Sequence, residues 1–269
     1  MKHFLFAVVL SACSLTHGGR LTERIAKQHT IKATDVWYGG ERTVFDFDGY
    51  DAWMIEPPAN VKAAAGNPWT WTMQWREAFV PRTGVPQLLA KGWHHVAIDT
   101  FKHRMDEKGL EVSRRFQTYV VNELGLSPKA CLIGMSWGGF FSIRYAAACP
   151  QNVAKIYLDC PLLNLGGGCG KKLSIGDWEK NPPASWLDDP RMPVNLSKPI
   201  SDAGIPVLLV YGGADDVLSP ALNSEVFIPR FKAAGGVIRV VRRALYAHHP
   251  HGFEESSTEI PDFFIGGKQ

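Results

Sequence analysis

Three polar clusters in this chain combine the residue types that nucleophilic acyl transfer needs. Ser136 stands between Gly134 and Gly138 in IGMSWGGFF (133–141), Asp215 and Asp216 fall in YGGADDVLSP (211–220), and His248, His249 and His251 crowd AHHPHGFEE (247–255). A serine hydroxyl is a weak nucleophile until a neighbouring imidazole takes its proton. The imidazole in turn keeps the required tautomer only if a carboxylate holds its other nitrogen. A glycine-x-serine-x-glycine pentapeptide arises by chance in roughly one chain in ten of this size and composition. The elements around Ser136 must therefore decide whether it is more than a junction residue.

Short β-branched runs alternate with helical patterns along most of the chain, with no internal repeat, which predicts a mostly parallel, doubly wound α/β sheet. TVFDF (43–47) and AWMIE (52–56) read as an opening antiparallel hairpin, followed by strands at PWTWT (68–72) and HHVAID (94–99). Four more strands are predicted at ACLIG (130–134), VAKIYLD (153–159), PVLLVYG (206–212) and VIRVV (237–241), about eight in all. Their near-continuous apolar runs suit strands buried on both faces. Val112, Phe116, Val120 and Leu124 mark the inner stripe of a helix, and GFFSIRYAAAC (139–149) reads as a buried helix stopped by Pro150. Ser136 is thus expected between a strand and a helix. Residues 161–204, rich in Gly, Pro, Trp and Asp without a period, read as an irregular, cap-like insertion over the sheet.

In a parallel sheet the loops at the carboxyl ends of the strands converge on one crevice. Ser136, the Asp215–Asp216 pair and the histidine cluster each follow a predicted strand, so they are expected to meet there. Glycines at 134 and 138 are expected where a Cβ would clash as strand and helix approach around a strained turn. The helix after Ser136 would aim its free N–H groups at the site, with that of Trp137 holding a tetrahedral oxyanion.

On these motifs the chain, from about residue 40 to 265, resembles an α/β-hydrolase: GMSWGG is similar to the nucleophile elbow, and serine, acid, histidine is that superfamily's chain order. The superfamily commonly shows glycine, two residues, aspartate, three residues and proline; Gly213, Asp216 and Pro220 match, which favours Asp216 as the acid. Asp215, or Asp159 after its own strand, are the alternatives. AHHPHGFEE resembles the superfamily's G-H-x-P-H-x-x-E loop, which makes His248 the base, with Ala247 in place of the usual glycine. HGF also resembles the histidine loop of dienelactone hydrolases, which would select His251 instead. The usual His-Gly after the third strand is absent; NPWTWTMQWR (67–76) stands there, and Thr72 or Met73 would supply the second oxyanion N–H. That Trp-rich strand resembles those of secreted esterase-like hydrolases of polysaccharide-degrading bacteria.

The implied function is a serine hydrolase that cleaves an acyl ester, on a small molecule or a carbohydrate, through an acyl-enzyme and without metal or organic cofactor. A peptidase or thioesterase on the same triad, and a non-catalytic sugar- or partner-binding lipoprotein of this fold, are the alternatives. The histidine cluster lacks a partnered carboxylate motif of the kind metal sites show. Trp69, Trp71, Trp75, Trp178 and Trp186 read as packing, Trp137 as a residue of the crevice mouth, and His94 and His95 as structural.

The remaining features bound the setting. The chain has 269 residues and a formal charge of +3, with no Lys/Arg run, which gives no footprint for nucleic acid or an acidic membrane surface. MKHFLFAVVLSACS is a charged start, a short apolar stretch and small residues, the pattern of a signal peptide over 1–12. Leu10-Ser11-Ala12-Cys13 resembles the bacterial lipobox, which makes Cys13 a lipid attachment site, residues 13–40 a tether and 41–269 the catalytic domain. Export to the bacterial cell envelope, lipid-anchored or periplasmic, follows from that reading, with the membrane touched only through the anchor. In that oxidising compartment Cys160 and Cys169, flanking PLLNLGGG, are the one pair placed to close a loop.

Overall fold

The computed structural model describes residues 20–168 and 183–266. Its strands in chain order are β1 (Ile31–Trp37), β2 (Gly40–Phe47), β3 (Tyr50–Glu56), β4 (Trp69–Thr72), β5 (His94–Ile98), β6 (Ala130–Met135), β7 (Val153–Asp159), β8 (Val207–Gly212) and β9 (Ile238–Arg243). The helices are α1 (Arg20–Ala26), α2 (Val85–Leu89), α3 (Glu107–Asn122), α4 (Trp137–Ala148), α5 (Ser197–Asp202), α6 (Ser224–Ala233) and α7 (Glu259–Ile265). One sheet takes the order β1-β2-β3-β5-β4-β6-β7-β8-β9. β1, β2 and β3 pair antiparallel, β5 joins β3 antiparallel, and every pairing from β5 through β9 is parallel. Helices cover both faces. Phe116, Phe140, Phe141, Phe227 and Phe231 pack from α3, α4 and α6 on one side, and Leu88, Leu89, Ile260 and Phe264 from α2 and α7 on the other.

The eight expected strands are present, and β1 is a ninth. It falls in the segment expected to be a tether, where α1 also buries Leu21 and Ile25 in the core. The folded domain therefore begins by residue 20 or earlier, not at 41. β1 was invisible to patterning because it is an edge strand with its five central residues exposed, so no apolar alternation marks it. By contrast β6 and β8 are buried at every position, as continuous apolar runs require.

α3 begins where the Asp106 carboxylate accepts from the Gly109 N–H at 2.9 Å, and its stripe of Val112, Phe116 and Val120 is fully buried. The described parts of the 161–204 segment are rooted in the core through Leu162, Leu163, Leu165, Met192, Val194 and Ile200. Asn223 fastens that root. Its side-chain oxygen accepts from the N–H groups of Leu163 (2.8 Å) and Asn164 (2.9 Å), and its amide nitrogen donates to the carbonyls of Gly167 (3.1 Å) and Ser219 (2.9 Å). Cys160 is a free, buried thiol facing the Gly212 N–H at 3.4 Å, and the other half of the expected Cys160–Cys169 pair lies outside the described residues. Cys169, Trp178, the signal segment and Cys13 lie outside the described residues. No helix among the described residues is long and apolar enough to cross a membrane.

His94 and His95 are structural, as expected. His95 Nδ1 bonds the Thr70 hydroxyl at 2.8 Å and the ring stacks on Trp37 at 5.7 Å. Burial pulls His94 down from 6.5 to about 4 and His95 to about 3. Both are neutral in the folded protein near neutral pH, whereas an unfolded chain would protonate them below about 6.5. Their contribution to stability is therefore full above that value and lost as pH falls toward the folded values. Between pH 7 and pH 5 each should cost about 2 kcal/mol of unfolding free energy. Urea unfolding at the two pH values should show a correspondingly smaller loss in His95→Gln, and an unchanged pH slope in that variant would contradict this account.

Candidate active site

The turn between β6 and α4 holds Ser136 at φ 49°, ψ −119°, a backbone conformation L-residues rarely adopt. Three backbone bonds keep it there: the Ser136 N–H donates to the Asp159 carbonyl (3.0 Å), and the Ser136 carbonyl accepts from Gly139 and Leu162 (both 2.9 Å). Gly134 is required sterically, since a Cβ there would stand 2.5 Å from Ser142 Oγ and 2.7 Å from the Gly138 carbonyl. Gly138 differs from expectation. A Cβ there would be in ordinary contact with Gln74, and the tight position is Gly139, against Pro161.

The Ser136 hydroxyl lies 3.1 Å from His248 Nε2, and His248 Nδ1 lies 2.8 Å from Asp215 Oδ2. A carboxylate only accepts, so Nδ1 carries the proton and Nε2 is left as acceptor for the serine hydroxyl. The other Asp215 oxygen accepts from the N–H groups of Val217 (2.9 Å) and Leu218 (2.8 Å). Burial works to raise the Asp215 carboxyl, but the His248 bond and those two amides outweigh it and hold the group below the ordinary carboxylate range. It is ionised wherever the imidazole needs it.

This geometry corrects the choice of acid. Asp216, favoured by glycine-to-proline spacing, is exposed and makes no bond to His248; Asp215 is the residue whose side chain turns inward. Its Oδ1 closes a turn over the next residues, a role Asp takes readily, and this carboxylate-first turn was a signal the spacing rule did not weigh.

The alternatives His251 and Asp159 find each other instead. His251 Nδ1 lies 2.8 Å from Asp159 Oδ1, and Asp159 Oδ2 accepts from the Gly252 N–H (2.9 Å) and the Tyr157 hydroxyl (2.5 Å). Burial and the adjacent Asp159 push the Tyr157 phenol well above its usual value, so it stays a donor. His251 packs edge-on against His248 at 4.8 Å but makes no bond to Ser136. Arg82 secures the loop from outside: Nε donates to the His251 carbonyl (2.9 Å), and the Arg82 carbonyl accepts from Phe253 (3.0 Å). Gly252, at φ 81°, lets that carbonyl approach to within 2.3 Å of where a Cβ would be.

Trp137 heads α4, where the first N–H groups have no partner within the helix. Across from it the sequence pointed to Thr72 or Met73. Thr72 sits inside β4, paired with Ile133, and the Met73 N–H is spent on the Ile133 carbonyl at 3.0 Å. The amide that faces the elbow is the next one: Gln74 N lies 3.6 Å from the position of a Gly138 Cβ. Gln74 was missed because the ladder runs one residue past the β4 assignment, which shifts the first free amide along the chain.

Among the described residues three groups bring metal-ligating atoms within 4.8 Å of one another: His248, His249 and His251; Asp159, Cys160 and His251; and Cys160, Asp215 and His248. His248 has both nitrogens engaged and His251 has Nδ1 engaged, while His249 stacks on Phe79 at 5.5 Å. A metal collecting the three histidines would have to break one of the two bonds of His248, to Ser136 or to Asp215.

Because only one of the two neighbouring aspartates reaches the imidazole, their substitutions should separate cleanly. Asp215→Asn should slow fluorophosphonate labelling of the protein by about 10³–10⁴-fold, by analogy with loss of the tautomer-fixing carboxylate, and Asp216→Asn should leave the rate within twofold. Equal effects would contradict the assignment.

The alpha/beta hydrolase fold family matches residues 71–168, from β4 through the elbow to the start of the insertion. No curated protein matches the chain in sequence. Among solved structures it is similar to an S-formylglutathione hydrolase from Agrobacterium tumefaciens (14% identity, TM-score 0.60, covering 82% of this chain and 92% of that one). It is likewise similar to acetyl xylan esterase 1 from Thermoanaerobacterium sp. (16%, 0.55, 83% of each chain). A Pyrococcus horikoshii acylaminoacyl peptidase superposes at 14% identity and TM-score 0.57 over 83% of this chain. This chain spans only 39% of that peptidase and 32% of a Porphyromonas gingivalis dipeptidyl peptidase 4 that it also matches. The sheet order, the elbow and the family match agree: this chain is an α/β hydrolase by fold.

Proposed function

We propose that the protein is a serine hydrolase that cleaves a carboxylic ester through an acyl-enzyme. The observation that carries this reading is the unbroken chain from Ser136 Oγ through His248 to Asp215 at a strained strand-to-helix turn. In the first half-reaction Ser136 Oγ attacks the acyl carbon as its proton passes to His248 Nε2, and Asp215 stabilises the imidazolium. The oxyanion is received by the N–H of Trp137 and that of Gln74; loss of one such donor typically costs about 10²–10³ in rate. His248 then returns the proton to the leaving alkoxide. Water, deprotonated by the same nitrogen, releases the acid and restores Ser136. No step needs a metal or an organic cofactor.

An ester is favoured over an amide because the acetyl xylan esterase is matched over 83% of both chains, whereas the peptidases are matched over much less of theirs. Residues 1–12 fit this reading as an export signal followed by a lipid-bearing Cys13, which would place the hydrolase at the bacterial cell envelope.

Purified protein should label with a fluorophosphonate and hydrolyse 4-nitrophenyl acetate. Ser136→Ala should abolish both, and His248→Ala should lower both by about 10³-fold or more. His251→Gln should keep labelling within about tenfold, since His251 contacts the serine only through His248. Wild-type protein that fails to label, or Ser136→Ala that leaves hydrolysis unchanged, would sink the nucleophile and revive a non-catalytic binding role. Faster turnover of a matched anilide or thioester than of the ester would redirect the substrate class.

A further inference from the structure

A cavity of about 310 Å³ opens at the carboxyl ends of β4 and β5, on the flank of β6 opposite Asp215 and His248. Its size falls within the range of small-molecule sites. Gln74 forms the wall nearest the nucleophile, since its backbone amide lies against Gly138. The Gln74 side chain belongs to the cavity lining and is 7% exposed, yet its Nε2 has no hydrogen-bond partner. A buried amide donor left unpaired is costly and rare, and one lining a cavity beside a nucleophile points to a ligand acceptor.

The rest of the lining complements that donor. Trp75 is 41% exposed, its ring 5.1 Å from Phe101, and Phe101 meets Trp137 edge-on at 5.7 Å, so an aromatic surface runs from the cavity to the elbow. Glu77 and Asp99 place exposed carboxylates at the same cavity. A purely aliphatic group would leave the Gln74 amide unpaired, and an ammonium, though drawn to the carboxylates, has no acceptor for that donor. Hydroxyl groups accept from Gln74 and donate to the carboxylates, while the C–H face of a ring lies on an aromatic side chain.

We propose that this cavity is a subsite for the polyhydroxylated alcohol portion of the ester, a sugar-like ring, with the Gln74 carboxamide as its buried contact and Trp75 as its platform. The proposal rests on Ser136 being the nucleophile. It assigns the alcohol side because the free hydroxyls of a polyol ester lie on that side of the scissile bond.

The test compares kcat/KM for a monoacetylated methyl xyloside with that for 4-nitrophenyl acetate, in wild type, Gln74→Leu and Trp75→Ala. Trp75→Ala should lose about tenfold or more on the xyloside, the scale of one ring contact, and change by less than about threefold on 4-nitrophenyl acetate and in fluorophosphonate labelling. Gln74→Leu, at a residue that also carries the oxyanion amide, is read on the ratio of the two kcat/KM values, which should fall about tenfold, the scale of one buried hydrogen bond. The backbone N–H of Gln74 survives the substitution, so the oxyanion contact is not what is removed. Equal losses on both substrates, no loss on the xyloside, or a wild type inactive on the xyloside would overturn the subsite. Trp75 is exposed enough for its variant to fold should Gln74→Leu fail. A wild type that does not label at all would instead overturn the serine hydrolase reading itself.

Discussion

The site depends on one backbone constraint: Ser136 must stay in a left-handed, strained conformation between a buried strand and a buried helix. Such a conformation costs on the order of 1–3 kcal/mol and persists only where its surroundings leave no alternative. Here β6 is buried along its whole length, α4 packs Phe140 and Phe141 into the core, and Gly134 and Gly139 let Ser142, Gly138 and Pro161 close around the turn. The strain is thus offset by packing well away from the chemistry. It keeps Oγ presented to the crevice before any substrate arrives.

Asp159 is the second organising point, because it serves both halves of the site at once. Its carbonyl holds the Ser136 N–H, and its buried carboxylate holds His251 and Gly252 of the histidine loop. The end of β7 therefore ties the Ser136 turn to the histidine loop although the Asp159 side chain bonds neither Ser136 Oγ nor His248. Removing one partner of such a buried pair leaves an uncompensated polar group, so it is a positioning device that tolerates little change. Two His–Asp pairs side by side, with only one in reach of the serine, resolve the ambiguity of a loop with three histidines in four residues.

The fold leaves substrate choice to what surrounds this frame. Solved structures similar in fold to this chain carry names as different as S-formylglutathione hydrolase, acetyl xylan esterase and acylaminoacyl peptidase. A triad fixes which atom attacks and where the proton goes, and the bond attacked is decided by loops. In this chain Gln74 and Trp75 follow β4 and line a cavity with one unpaired donor and an aromatic face. The amide that lies against the elbow and a wall of this cavity belong to the same residue, so in the proposed reading recognition and charge stabilisation are coupled through Gln74.

Much of this was legible in the chain itself. Continuous apolar runs marked β6, β7 and β8 because strands buried on both faces have no polar side to show, and IGMSWGG marked the turn because glycine is the only residue that fits at position 134. The helical stripe of Val112, Phe116 and Val120 and the structural place of His94 and His95 followed from local rules as well. β1 escaped because an exposed edge strand has no apolar face to declare it. The choice between Asp215 and Asp216 also escaped, and the loop resemblance favoured His248 while leaving His251 open, because neighbouring residues of the same type differ only in where the folded backbone points them. Sequence determined which chemistry was available and on which elements it would sit; tertiary structure alone decided which carboxylate met which imidazole and that Gln74 faced the elbow, since those pairings are distances between loops brought together by a sheet and no local pattern encodes them.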